Sequence, residues 1–170
     1  MVADEEGHRA EVRLDNTRFD PDLTPFHDVV KQMAAAFGYT AELALDRRLA
    51  ELLRLRVAQL NPCPYCLILH SRVAGEWGIP AEVVAHLPGW RESAMFSPAE
   101  RAALAYCEGL TLYDIADFGR LHDELRTYFD ERDVAEIAAV VINMNVWTRL
   151  KLAQGATPST DAPRSASQTE

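Results

Sequence analysis

Three side chains lying close together could do chemistry as a unit. They are Cys63, Cys66 and His70, in the stretch Asn61-Pro62-Cys63-Pro64-Tyr65-Cys66-Leu67-Ile68-Leu69-His70. If a helix begins at Cys63, positions i, i+3 and i+7 fall on one face, and both sulfurs and the imidazole point the same way. Pro64 suits a first helical turn, where its missing N–H costs nothing. The positive end of the helix dipole then favours a thiolate, and His70 can accept a proton and pair with sulfur. A second thiol within one turn can condense with a sulfenic acid formed on the first, giving an intramolecular disulfide. Nucleophile, base and resolving partner together point to thiol redox chemistry.

Zinc is the competing use of such residues, but a structural zinc site needs four ligands. The chain offers no second closely spaced pair, and His86 and Cys107 stand alone. Cys107, in an Ala-rich segment after Pro98, reads as core. The expectation is therefore no metal and no cofactor.

The elements that must position these residues read as helix after helix. Thr24-Pro25 with Asp28 opens a helix ending near Gly38. Residues 40–60 carry Leu45, Leu49, Leu52, Leu53, Val57 and Leu60 at helical spacing, closed by Asn61-Pro62. The cysteine helix runs from Pro64 to Trp77, before Gly78, and a short helix follows Pro80 toward Leu87. Ser97-Pro98-Ala99-Glu100 is a capping-box start for a helix reaching about Leu110. Asp117 to Phe129 and Glu131 to Leu152, the latter capped by Asp130, complete the set. The fold class is all-α, a bundle of six to seven helices without βαβ alternation. Residues 1–20 are expected to form a mobile arm, residues 21–152 the helical domain, and residues 153–170, rich in Ala, Ser, Thr and Pro, a disordered tail.

Length and composition fit one globular domain. The formal net charge of −9 argues against a nucleic-acid partner, which needs clustered positive charge. Lys31 and Lys151 are the only lysines among 17 basic residues, which reads as a bias of the source genome. No segment approaches the run of about 18 apolar residues that a membrane helix needs, and the N-terminus lacks a signal-peptide pattern. A cytoplasmic location is expected, where close cysteines serve catalysis or metals rather than a structural disulfide.

Cys-Pro-Tyr-Cys alone is the glutaredoxin motif, but in that fold it follows a strand within βαβ units. Here it follows a helical pattern, and the glutaredoxin reading loses on context. The whole constellation instead resembles the carboxymuconolactone decarboxylase family in its alkylhydroperoxidase AhpD-like branch. Members carry a Glu, then twelve residues later a Cys-x-x-Cys, then a His four residues on; here these are Glu51, Cys63, Cys66 and His70. Leu55-Arg56-Val57-Ala58, Ser97-Pro98-Ala99-Glu100-Arg101-Ala102 and Asn145-Val146-Trp147-Thr148-Arg149-Leu150 look like the family too, so the resemblance spans about residues 20–152.

That resemblance implies a helical homo-oligomer, commonly a trimer or hexamer, that reduces hydroperoxides and is recycled by a dithiol donor. By the same likeness Cys66 would attack the peroxide, and Cys63 would donate a proton and then resolve the sulfenic acid. His70 would take the Cys66 proton, and Glu51 would orient or charge-balance His70. Departures are Pro62 where many relatives have Gly, Tyr65 where well-known members have a second relay His, and Thr148 for a common Asn. On its own helical wheel Glu51 lies off the leucine stripe and reads as a solvated surface acid; only the family spacing makes it a site residue. Arg56 falls among apolar positions and should pair with a carboxylate or snorkel. Trp77, Trp90 and Trp147 read as core or interface, and Tyr65 as packing or pocket mouth. Three other functions compete: a disulfide oxidoreductase or redox-signalling protein, a cofactor-free lactone decarboxylase, and a non-enzymatic helical oligomer.

Overall fold

In the computed structural model, which describes residues 12–160, seven α-helices surround a single core. They are α1 (Phe26–Phe37), α2 (Arg47–Leu60), α3 (Pro64–Glu76), α4 (Ala81–His86), α5 (Pro98–Leu112), α6 (Phe118–Leu125) and α7 (Glu131–Gln154). Two 3-10 turns accompany them, Pro21–Leu23 ahead of α1 and Leu87–Glu92 between α4 and α5. Helix starts follow local chemistry. Asp46 caps α2 by accepting from the Leu49 amide, Asp130 caps α7 through the Asp133 amide, and Ser97 with Glu100 forms the expected capping box of α5.

Helix α2 is the centre of the bundle and packs against α3, α5 and α7. Leu49, Ala50, Leu52, Leu53, Leu55, Val57 and Ala58 are all buried, so this helix is covered on every side. It begins at Arg47, seven residues later than the apolar spacing from residue 40 suggests. Helix α7, the longest, lies alongside α2 and α1 and carries Val140, Val141 and Met144 into the core.

The termini differ from expectation. Val12–Asn16 (β1), assigned to a mobile arm, pairs antiparallel with Ala156–Thr160 (β2), assigned to a disordered tail, from Val12 opposite Thr160 to Asn16 opposite Ala156. Gly155 ends α7 in the left-handed region (φ 69°), turning the chain back toward β1. The Thr17 amide donates to Gly155 O (3.0 Å) and the Gln154 amide group to Asn16 Oδ1 (2.7 Å). All-α thus holds for the bundle, with a two-stranded clasp joining its ends. The expectations for residues 1–11 and 161–170 lie outside the described residues. No helix among the described residues is long and apolar enough to cross a membrane.

Candidate active site

The cysteine motif sits at the head of α3. Cys63 is the N-cap and has extended backbone angles; its sulfur accepts the Cys66 amide hydrogen at 3.4 Å. Pro64 occupies the first turn as its sequence suggests. One turn in, the Cys66 sulfur lies 2.8 Å from that of Cys63. The entry to this turn is fixed from α7. Asn61 donates to Asn145 Oδ1 and to Thr148 Oγ1, each at 3.0 Å, so the late Asn-Val-Trp-Thr motif locks the loop before the cysteines.

Two thiols this close set each other's acidity. The hydrogen bond from Cys66 lowers the Cys63 pKa most, with burial opposing it and the backbone amides of Cys66 and Tyr65 and the charge of Lys151 assisting. Cys66 is pushed strongly upward, first by that same hydrogen bond and then by burial. Of the two thiols Cys63, at the positive end of the helix, is therefore the more acidic, and Cys66 is the one that holds its proton more tightly.

Cys66 and His70 line one cavity of about 170 Å3 with Tyr39, Arg54, Tyr65, Leu69, Asn143, Met144, Trp147 and Lys151. Cys63 lies behind Cys66 and does not line it. His70 Nδ1 donates to Glu51 Oε1 at 2.6 Å. With an ionised carboxylate as its partner Nδ1 carries the hydrogen, which leaves the lone pair on Nε2. Tyr39 meets the imidazole edge-on at 5.9 Å between ring centres. The structure thus gathers the four sequence-derived residues, Glu51, Cys63, Cys66 and His70, at the junction of α2 and α3.

Glu51 is fully buried, contrary to its helical-wheel reading as a surface acid, because α3 covers the flank of α2 opposite the leucine stripe. Its other oxygen accepts from Arg54 at 3.1 Å, and Arg54 also donates to the carbonyls of Phe37 (3.0 Å) and Gly38 (2.8 Å). Sequence reasoning missed Arg54. The signal was there: an acid and an arginine three apart on one helix make a natural ion pair. Lys151 was missed as well, although Met144, Trp147 and Lys151 repeat at i, i+3 and i+7 on α7 and all reach the cavity. Arg56 pairs with Glu108 at 2.7 Å, as its position among apolar residues requires, and Cys107 is fully buried core.

A larger cleft, of about 580 Å3, opens beside Trp90, Arg101 and Arg120. Its arginines and three of its acids already have partners: Glu108 binds Arg56 and Arg91, Arg120 binds Asp117 and Glu124, and Arg101 donates to the carbonyls of Trp90 and Ser93. It contains no thiol and no base poised beside a nucleophile.

Comparison with known proteins bears on the family and the fold. The model of the carboxymuconolactone decarboxylase family matches residues 27–109, a span that includes all four site residues. The uncharacterized protein YdfG of Bacillus subtilis is 31% identical over 121 residues, covering 69% of this chain and 80% of its own length. Among solved structures, a protein of unknown function from Agrobacterium tumefaciens, provisionally named antioxidant defence protein AhpD, superposes with a TM-score of 0.71 at 22% identity, over 80% of this chain and 92% of that one. The debrominase Bmp8, solved as a cysteine-to-alanine variant in complex with 2,3,4-tribromopyrrole, superposes with a TM-score of 0.65 at 22% identity, over 81% and 71% of the two chains. The chain belongs to the carboxymuconolactone decarboxylase family and has the AhpD-like helical fold.

Proposed function

We propose that this protein is a thiol peroxidase of small hydroperoxides, recycled by a dithiol donor. The observation that supports it most is the placement of Cys66: one sulfur faces a cavity that also holds a carboxylate-oriented imidazole, and a second sulfur waits 2.8 Å behind it.

Cys66 gives its proton to Cys63 or to His70 Nε2, and the resulting thiolate attacks the distal oxygen of ROOH. The O–O bond breaks, RO⁻ leaves and takes that proton to become ROH, and Cys66 becomes sulfenic acid. The Cys63 thiolate then attacks the Cys66 sulfur; the S–O bond breaks, and hydroxide leaves as water with a proton relayed from solvent through His70. The donor dithiol reduces the Cys63–Cys66 disulfide by exchange, is itself oxidised to a disulfide, and returns the proton. Glu51 holds the imidazole with Nε2 as its basic nitrogen throughout. Tyr65, in place of a relay His, leaves His70 as the single imidazole among the residues lining this cavity. Assembly into a homo-oligomer belongs to the same reading.

The test is peroxide consumption with a dithiol donor. The unmodified protein turns over, and Cys66→Ser does not; turnover by Cys66→Ser at the unmodified rate ends the proposal. A second reading is favoured by the rings of Tyr39, Tyr65 and Trp147 around the cavity: reductive removal of bromide from a small aromatic ring. The same dithiol would supply the two electrons. Bromide release from 2,3,4-tribromopyrrole, assayed beside peroxide loss, separates the two.

A further inference from the structure

The polar groups of the thiol cavity do not balance one another. Arg54 uses its two terminal nitrogens on Glu51 and on the Phe37 and Gly38 carbonyls, but its Nε is buried without a partner. The indole N–H of Trp147 is also buried without a partner, as is Asn143 Oδ1. All three residues line the cavity. Lys151 adds a half-buried ammonium, 4.5 Å from the centre of the Tyr65 ring and 5.4 Å from that of Trp147. Among the described residues no carboxylate lies within 4 Å of it to form an ion pair. The neighbouring acids are already engaged: Asp22 with His27 and Lys31, and Glu51 with Arg54 and His70.

Buried donors and a desolvated cation without partners are costly, and natural sites keep them where a ligand satisfies them. The Arg54 Nε and the Trp147 N–H are themselves closed off, but the Lys151 ammonium is only half-buried, and it makes this wall positive. The geometry points to a carboxylate subsite: the substrate is a small organic molecule carrying a carboxylate, read by the Lys151 ammonium, while its reactive group faces Cys66. This rests on the reading of the cavity as the place where Cys66 meets its substrate, and it narrows the hydroperoxide class to acidic ones. Tyr65 and Trp147 supply ring faces that hold the ammonium in place.

Lys151 also favours the thiolate form of both cysteines. That effect quickens reaction with neutral and anionic reagents alike, whereas a carboxylate subsite favours the anionic reagent alone. Alkylation of Cys66 by iodoacetate and by its neutral analogue iodoacetamide separates the two, each forming an S–C bond with loss of iodide. The rate ratio, iodoacetate over iodoacetamide, is referred to free cysteine in the same buffer and read at Cys66 by mass spectrometry. The unmodified protein should exceed free cysteine by about tenfold, the worth of one charge-assisted hydrogen bond. Lys151→Met should lose most of that preference and Lys151→Arg should keep it. A ratio equal to that of free cysteine, or one unchanged in Lys151→Met, overturns the subsite. If Lys151→Met does not fold, protection of the unmodified protein decides: millimolar butyrate should shield Cys66 from iodoacetamide where butyramide does not. Equal protection by both, or by neither, overturns it. Neither arm uses peroxide or a donor, so loss of this subsite and loss of the peroxidase reading register separately.

Discussion

Replacing Glu51 by Gln perturbs two things that the structure allows to be told apart. Glu51 is wholly buried, and among the described residues it is the only acid bonded to the Arg54 guanidinium, whose side chain is 3% exposed. Without that charge Arg54 keeps only two backbone carbonyls, and an uncompensated buried cation costs about 3–5 kcal/mol. For a chain of this length that lowers Tm by about 6–20 °C. The second effect is on chemistry. An amide at position 51 can donate to Nδ1 and shift the ring hydrogen to Nε2, removing the base, which general-base catalysis values at about 10²–10⁴ in rate. The double variant Glu51→Gln/Arg54→Met removes both charges and should recover most of the stability while leaving the rate low. Thermal melts and single-turnover oxidation by peroxide, followed through Trp147 fluorescence at the cavity, provide the two readouts. If Glu51→Gln is oxidised at the unmodified rate, or the double variant recovers rate together with stability, Glu51 serves the fold alone and the reasoning fails.

Burial pushes the Cys107 thiol up to about 12, so iodoacetamide near pH 8 should label it only after denaturation, as peptide mass spectrometry will show. Burial opposes ionisation of Glu108, but hydrogen bonds from Trp90, Arg91 and Arg56 together hold its carboxyl below the usual range. The stability it supplies is therefore in place above its ordinary value of 4.5 and is lost as pH falls through the lowered folded value. Urea midpoints between about pH 3 and 6 should show that Glu108→Gln lacks this part of the acid loss. Ser97→Ala removes one half of the α5 capping box and should cost about 1 kcal/mol, a fall of about 2–4 °C in Tm, with peroxide turnover unchanged.

Much of this molecule is written in local sequence signals. The capping box at Ser97 and the Asp130 cap announce α5 and α7 because the stabilising contacts lie within one turn. The shared face of Cys66 and His70 was legible because Pro64 marks where α3 must start. Glu51 was not legible from its own helix. A wheel distinguishes inside from outside only when one face meets water, and α2 has no such face. The β1–β2 clasp escaped notice for a different reason. Ala156-Thr157-Pro158-Ser159-Thr160 has little strand character, and its partner lies at the far end of the chain, joined by backbone bonds that residue types do not advertise. Lys151 was hidden by composition: a scarce lysine in an arginine-rich chain reads as surface charge until α7 carries it to the thiols.

The most direct test is mass spectrometry of the three thiols after one equivalent of peroxide. A Cys63–Cys66 disulfide should form with Cys107 untouched, and the Cys63→Ser protein should trap a sulfenic acid on Cys66. Oxidation that spares this pair, or a sulfenic acid that forms on Cys63 and never on Cys66, contradicts the assignment.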